Sequence, residues 1–373
     1  MTKKESSNSS DFFKNWKFCP RCGEKIPETE KTIRYCFSCG LEFEKFPYII
    51  EKPFKKPEPP KLTEEEIDRD KEAALWPARA SIVWPILSIF IMNSVAIIPL
   101  MFIVFFIPDM STLMGLIQSP LFLIIFSATE FVFLIVPLLY VGQYLKRPTL
   151  KNRFKILGIY VDRPNKLFIL KELFLGIGVA ILGFFLVQLI SLLLEILFGP
   201  LIIFPTLFTA QAPSVDLESI ISSANIIEII LLVIVMIVII GLSEEIAFRG
   251  FMQKGLVKNF GKELGIWITA IIFAFIHVVT VFLTLSPLSI LTLFPPYLFL
   301  SLLLGYLFYW RNSNLIAPIV AHGVYNGITV LIVFIIYKYF TLLPLFVLIL
   351  LGTIILSLSS YYLLERLTNE EKR

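Results

Sequence analysis

The stretch IIEIILLVIVMIVIIGLSEEIAFRG, residues 226–250, decides how this chain is read. From Ile229 to Ile240 it is unbroken apolar sequence. A helix that is apolar all round has no aqueous face, so it belongs in a large core or in lipid. A bilayer core asks for about 20 such residues. The run then meets Glu244, Glu245 and Arg249. Ionisable groups at membrane depth are costly, and they mark function or pairing. One segment thus points both to a membrane helix and to a candidate site on it.

The rest of the chain agrees. Of its 373 residues 57% are hydrophobic and only 17% charged, where soluble domains carry about a quarter charged residues. Half of the charged residues lie in 1–80, so a small polar segment precedes a large apolar one. The net charge of +4 is small and dispersed, which argues against a nucleic-acid partner. The polar start, followed by cysteines, does not read as a signal peptide. The expected fold is an all-α integral membrane protein, a bundle of about eight transmembrane helices with a small N-terminal four-cysteine zinc ribbon.

Expected spans cover approximately 80–107, 118–144, 168–197, 226–249, 264–283, 290–310, 314–337 and 342–364. Pro295-Pro296 interrupt the sixth and are expected to delay its start. The expected domains are a cytosolic zinc ribbon at 1–46, a proline-rich linker and juxtamembrane helix at 47–79, an eight-helix domain at 80–366 and a cytosolic tail at 367–373. Thr63 and Glu66 fit a capping box for the juxtamembrane helix. Lys146, Arg147, Lys151, Arg153 and Lys155 sit between spans 2 and 3, Lys254, Lys258 and Lys262 between spans 4 and 5, and Arg311 between spans 6 and 7. By the positive-inside rule these loops and both termini are cytoplasmic. The protein is therefore expected as a multi-pass cell-membrane protein.

Cys19, Cys22, Cys36 and Cys39 form two CxxC pairs, each followed by glycine. Four thiolates suit tetrahedral Zn2+, and each tight turn supplies two of them. Two disulfides are the alternative, disfavoured in a reducing cytoplasm. A closed four-cysteine site is structural, with no catalysis assigned to it.

The chain has two histidines, His277 and His322, and both fall inside expected spans. Hydrolysis of an amide in a membrane needs a water, a base and an oxyanion donor. A carboxylate serves as the base, a histidine orients the water or passes on the proton, and His or Asn donates to the oxyanion. His322 and Asn326 share a helix face at i, i+4, as do Glu245 and Arg249, while Glu244 points about 100° away. Alternatively His277 and His322, with Glu244 or Glu245, hold a catalytic metal with one position open to water. Neither an HExxH helix nor a nucleophile-elbow serine occurs. The depths pose a problem: His277 lies roughly 20 Å along span 5, Glu244 roughly 8 Å from the end of span 4. They agree only if span 5 begins outside the bilayer or is tilted.

Glu244-Glu245-Ile-Ala-Phe-Arg249, Phe273 to His277 and His322 to Asn326 resemble the EExxxR, FxxxH and HxxxN motifs of the CAAX prenyl protease type II family, also called the Abi or CPBP intramembrane protease family. The resemblance covers about residues 80–340. It implies an eight-helix core with a cytosol-facing polar cavity and an endopeptidase acting on membrane-anchored, including prenylated CaaX-type, substrates. It implies that Glu244 and His277 activate water, that His322 and Asn326 bind the oxyanion, and that Glu245 and Arg249 are essential partners. Both glutamate and metalloprotease descriptions exist for this family.

Structural readings stand beside these. Membrane histidines often only join helices, and Arg249 could snorkel to the interface. Glu130 in span 2 is expected to pair within the bundle, and Glu195 and Glu228 are expected at interfaces. The rival functions are a non-catalytic scaffold, its zinc ribbon binding a protein partner, and a transporter that relays protons.

Overall fold

The computed structural model describes residues 76–106, 109–145, 147–160, 166–206, 217–281 and 287–370, together with Cys19. The other three cysteines, the proline-rich linker and the juxtamembrane helix lie outside the described residues. Among the described residues the secondary structure is helical throughout, with no strand. Eight helical segments are long and apolar enough to cross a membrane, as expected of a multi-pass membrane protein.

The first crossing is α1 (Ala78–Phe106), followed by the short α2 (Met110–Ile117) capped by Asp109. The second is built from α3 (Pro120–Ala128), a 3₁₀ turn at Thr129–Phe131 and α4 (Val132–Val141). Next come α5 (Leu150–Leu157) and the 41-residue α6 (Lys166–Thr206), the third crossing. After α7 (Leu217–Ser223), the fourth crossing runs through α8 (Ile226–Val235), a π segment (Met236–Ile240), α9 (Gly241–Glu245), a second π segment (Ile246–Gln253) and α10 (Lys254–Phe260). The last four crossings are α11 (Lys262–Val281), α12 (Pro287–Trp310), α13 (Ile316–Lys338) and α14 (Leu343–Glu370). Pro295 and Pro296 lie inside α12 and do not delay it. Each removes one helix hydrogen bond, and the flanking turns carry the helix through.

The fourth crossing starts where the sequence says it should. Asn225 accepts from the amides of Ile227 and Glu228, and Glu228 Oε2 accepts from the amide of Asn225. This capping box satisfies orphan donors at the helix start and assigns Glu228 a local role. The end differs from expectation, because the helix continues from 249 to Phe260. Lys254 and Lys258, taken for loop residues, ride on it, while Lys262 begins the next helix. Lys254 is buried, and its Nζ donates to the Ile156 carbonyl at 2.9 Å. Gly261, at φ 85, then turns the chain directly into α11. A positive φ is open to glycine at no steric cost.

That extension removes the depth problem. Glu244 lies sixteen residues before Phe260, and His277 fifteen after Lys262. At 1.5 Å per residue these are about 24 and about 22 Å from the same turn. The two helices form an antiparallel hairpin that levels the acid with the imidazole, and α10 packs against α11 along it.

The other histidine arrives by a backbone-to-backbone crossing. A Cβ added at Gly241 would stand 2.8 Å from Gly323 Cα, and one at Gly323 would stand 2.7 Å from Ile237 O. Small residues let membrane helices approach this closely, so α13 presses its His322 turn against α9. Arg311, in the turn between α12 and α13, hydrogen-bonds both carboxylate oxygens of the buried Glu172 on α6. That pairing ties the end of α12 to the third crossing.

Gly323→Ala should lower the stability of the detergent-solubilised protein by about 1–3 kcal/mol through overpacking. Thermal unfolding measures this, and an unchanged midpoint would contradict the close crossing.

Candidate active site

Four helical segments bring the polar residues together. Glu244 and Glu245 end α9, Arg249 sits in the following π segment, and His277 and His322 come from α11 and α13. π segments appear mostly at functional sites and shift the phase of the side chains beyond them. Here two of them bracket α9.

Glu245 is the junction. Its Oε1 accepts from Arg249 Nη1 at 2.7 Å and lies 2.8 Å from His322 Nδ1. All three side chains are buried, and neither Arg249 nor Glu245 has any exposure. Arg249 therefore does not snorkel to the interface. Its Nη2 donates to Ser301 Oγ at 2.8 Å and to Ser301 O at 3.2 Å on α12. Four residues on, Gln253 Nε2 donates to Gly305 O at 3.0 Å. Glu245, Arg249 and Gln253 thus form one polar stripe, and Arg249 and Gln253 read against Ser301 and Gly305 on α12.

The partners fix the tautomers of the neutral rings. His322 Nδ1 faces a carboxylate already paired with a guanidinium, so Nδ1 carries the proton. His277 Nδ1 lies 2.9 Å from the Phe273 carbonyl, which only accepts, so that Nδ1 also carries the proton. Both rings are then left with a bare Nε2. His322 Nε2 faces Glu244 Oε2 at 3.4 Å, and His277 Nε2 faces Glu244 Oε1 at 3.7 Å. Two imidazole lone pairs and one carboxyl group converge at distances that leave room for a proton or a small bridging group between them.

Phe273 holds this arrangement from below. It stacks on the His277 ring at 4.1 Å between centroids and lies under the Arg249 guanidinium at 4.7 Å. It also meets His322 edge-on at 5.9 Å. The phenylalanine four residues before the histidine is thus a fully buried platform for three site residues. Tyr297 flanks the other side of His277 at 5.0 Å. His277 keeps 18% of its side chain exposed against 2% for His322, so it is the more open of the two.

Asn326 is half-buried one turn beyond His322, and its side chain makes no hydrogen bond among the described residues. The structure does not tie it to the acids. The sequence reading missed Ser301 and Tyr297. Their i, i+4 spacing with each other, continued to Gly305, was the available signal, hidden by attention to the two prolines just before them. Glu130 lies on the 3₁₀ turn that packs against α9, and its Oε2 is buried without a hydrogen-bond partner. Among the described residues no group of three His, Cys, Asp or Glu side chains is arranged as a metal cage. The donors nearest to that chemistry are the two bare Nε2 atoms and the Glu244 carboxylate.

The site and the crossings define a multi-pass membrane protein with a buried cluster of two glutamates, two histidines and an arginine. Residues 226–328 match the family model described as Type II CAAX prenyl endopeptidase Rce1-like. That segment runs from the start of α8 into α13 and includes all seven residues of the three motifs, Phe273 among them. No curated protein and no solved structure matches the chain.

Arg249→Met should cost about 3–5 kcal/mol, because it strands the Glu245 carboxylate in a buried site. Unfolding of the solubilised variant measures it. A loss below about 1 kcal/mol, the range of exposed pairs, would contradict the geometry.

Proposed function

We propose that the protein is an intramembrane endopeptidase of the CAAX protease (CPBP) type, hydrolysing peptide bonds of membrane-associated substrates, prenylated CaaX-type proteins among them. The observation that carries the reading is the convergence of His277 Nε2 and His322 Nε2 on the two oxygens of Glu244. The match over residues 226–328 supports it.

In this reading Glu244 takes the proton of a water that His277 Nε2 orients, and the hydroxide attacks the scissile carbonyl carbon. The tetrahedral oxyanion then needs donors. Asn326 provides one through its amide. His322 provides the other through Nε2–H when that atom is protonated, since its Nδ1–H is committed to Glu245. The proton on Glu244 passes to the leaving amine as the C–N bond breaks. Arg249, itself anchored by Ser301, keeps Glu245 in place, so that Glu245 holds His322. A divalent cation, when bound, would be held by the two Nε2 atoms and the Glu244 carboxylate and would acidify the attacking water.

The charged loops support termini on the cytoplasmic side, with Cys19, Cys22, Cys36 and Cys39 holding a structural Zn2+ in an appended ribbon that is open to a protein partner.

Purified protein should cut at least one peptide in a panel of membrane-anchored substrates that includes a prenylated CaaX peptide, with products identified by mass spectrometry. Glu244→Gln and His277→Ala should each lower turnover by roughly 10²- to 10⁴-fold while the fold persists. Full cleavage by either variant, or none by the wild type on any peptide, would sink the reading. A chelator arm assigns the mechanism: loss restored by Zn2+ identifies a metal enzyme, and indifference identifies the carboxylate route.

A further inference from the structure

We propose that Tyr297 is a positioning residue of this same site: its ring is the second wall of an aromatic clamp that holds the His277 imidazole with Nε2 toward Glu244. The catalytic consequence rests on the hydrolase reading, whereas the clamp itself does not. Tyr297 belongs to none of the three motifs.

The register of packed helices places it. On α12, Tyr297, Ser301 and Gly305 follow at four-residue steps and share one face. Two of these positions are pinned to the fourth crossing. Ser301 Oγ accepts from Arg249 Nη2 at 2.8 Å, and Gly305 O accepts from Gln253 Nε2 at 3.0 Å. The third position, one turn before Ser301, falls beside His277, where the two ring centroids lie 5.0 Å apart at 34°. On α11, which packs against α12, Phe273 sits one turn before His277 with its ring 4.1 Å from the imidazole at 30°. Two rings so near and so close to parallel with the imidazole would collide on one face, so they take opposite faces. The Phe273 carbonyl holds Nδ1 at 2.9 Å and fixes one edge of the ring.

The two histidines are held in different ways. His322 is buried, and its Nδ1 meets the Glu245 carboxylate, itself paired with Arg249. His277 is the more open ring, and its Nδ1 meets a backbone carbonyl. The torsion that turns an imidazole about its Cβ–Cγ bond is broad, so one hydrogen bond leaves that ring room to rock. An aromatic face on each side removes the room, because rotation drives the imidazole edge into a neighbouring ring. Such ring pairs also attract one another beyond the area they bury. The Tyr297 hydroxyl makes no hydrogen bond among the described residues, so the ring is the part of this side chain that the site uses. A site works best when supporting contacts lock the rotamers of its reacting groups. Tyr297 supplies that lock for His277, as Glu245 does for His322.

Three forms of the full chain in lipid nanodiscs test this: wild type, Tyr297→Phe and Tyr297→Leu. Tyr297→Phe keeps the wall and should hold kcat within about threefold on a peptide that the wild type cleaves. Tyr297→Leu removes the wall and should lower kcat roughly 10- to 100-fold with KM unchanged, since about 1 Å of misplacement costs that much. Full kcat in Tyr297→Leu, equal losses in both variants, or a loss confined to KM would overturn the proposal. Proton NMR of the histidine-labelled protein tests the clamp without activity. The wild type should show cross-relaxation between the carbon-bound ring protons of His277 and the ring of Tyr297. Those His277 signals should move in Tyr297→Leu and stay near their places in Tyr297→Phe. The His322 signals should stay in both, because the ring beside His322 is Phe273. Absence of the cross-relaxation, or His277 signals indifferent to Tyr297→Leu, overturns the proposal as well. If no peptide is cut, the hydrolase reading falls, and the NMR result still decides the clamp. If Tyr297→Leu fails to fold by thermal unfolding, Tyr297→Phe and the wild-type cross-relaxation decide.

Discussion

The Glu245 carboxylate accepts from both Arg249 and His322 in a fully buried space. A carboxylate there would be ruinous alone. Paired with a guanidinium it becomes a fixed acceptor, and a fixed acceptor dictates which nitrogen of His322 holds the proton. The remaining nitrogen then points at Glu244 with its lone pair outward. The ion pair need not add net stability, since burying two charges can cost as much as their attraction returns. Its consequence is orientation.

Orientation at this scale needs backbone placement, and three devices supply it. The helix hairpin turning at Gly261 levels Glu244 with His277. The contact of Gly241 with Gly323 brings α13 so close that His322 reaches both acids. The two π segments on either side of α9 shift its phase relative to the flanking helix, and the roughly 100° per residue within α9 lets Glu244 and Glu245 serve different partners. Phe273 then fills the space beneath the rings and the guanidinium. The turn, the close crossing and the platform are each cheap in sequence terms, resting on one or two glycines or a phenylalanine, and none of these carries charge.

Much of this was legible in the residues. Long apolar runs gave the crossings to within a few positions, since lipid allows only helices that satisfy their own backbone. The i, i+4 spacing of Glu245 and Arg249 correctly implied their pairing. The end of the fourth crossing was not legible, because Lys254 and Lys258 read as aqueous charge. Lys254 is instead buried against the Ile156 carbonyl, a partner 98 residues away that local pattern cannot reveal. Ser301 and Tyr297 were passed over for the same reason. Their significance lies in what stands opposite them, and a helix period says which residues share a face without saying what that face meets. Asn326 shows the converse, a residue placed on the right face by spacing that the structure does not join to the acids.

The central claim is that both imidazoles turn their Nε2 atoms toward Glu244. The chain has only two histidines, so selective ¹⁵N-histidine labelling gives a spectrum of two rings. The account predicts that both neutral rings carry the proton on Nδ1, that Glu244→Gln moves the Nε2 signals of both, and that Glu245→Gln moves chiefly His322. Rings protonated on Nε2, or Nε2 signals indifferent to Glu244→Gln, would contradict it.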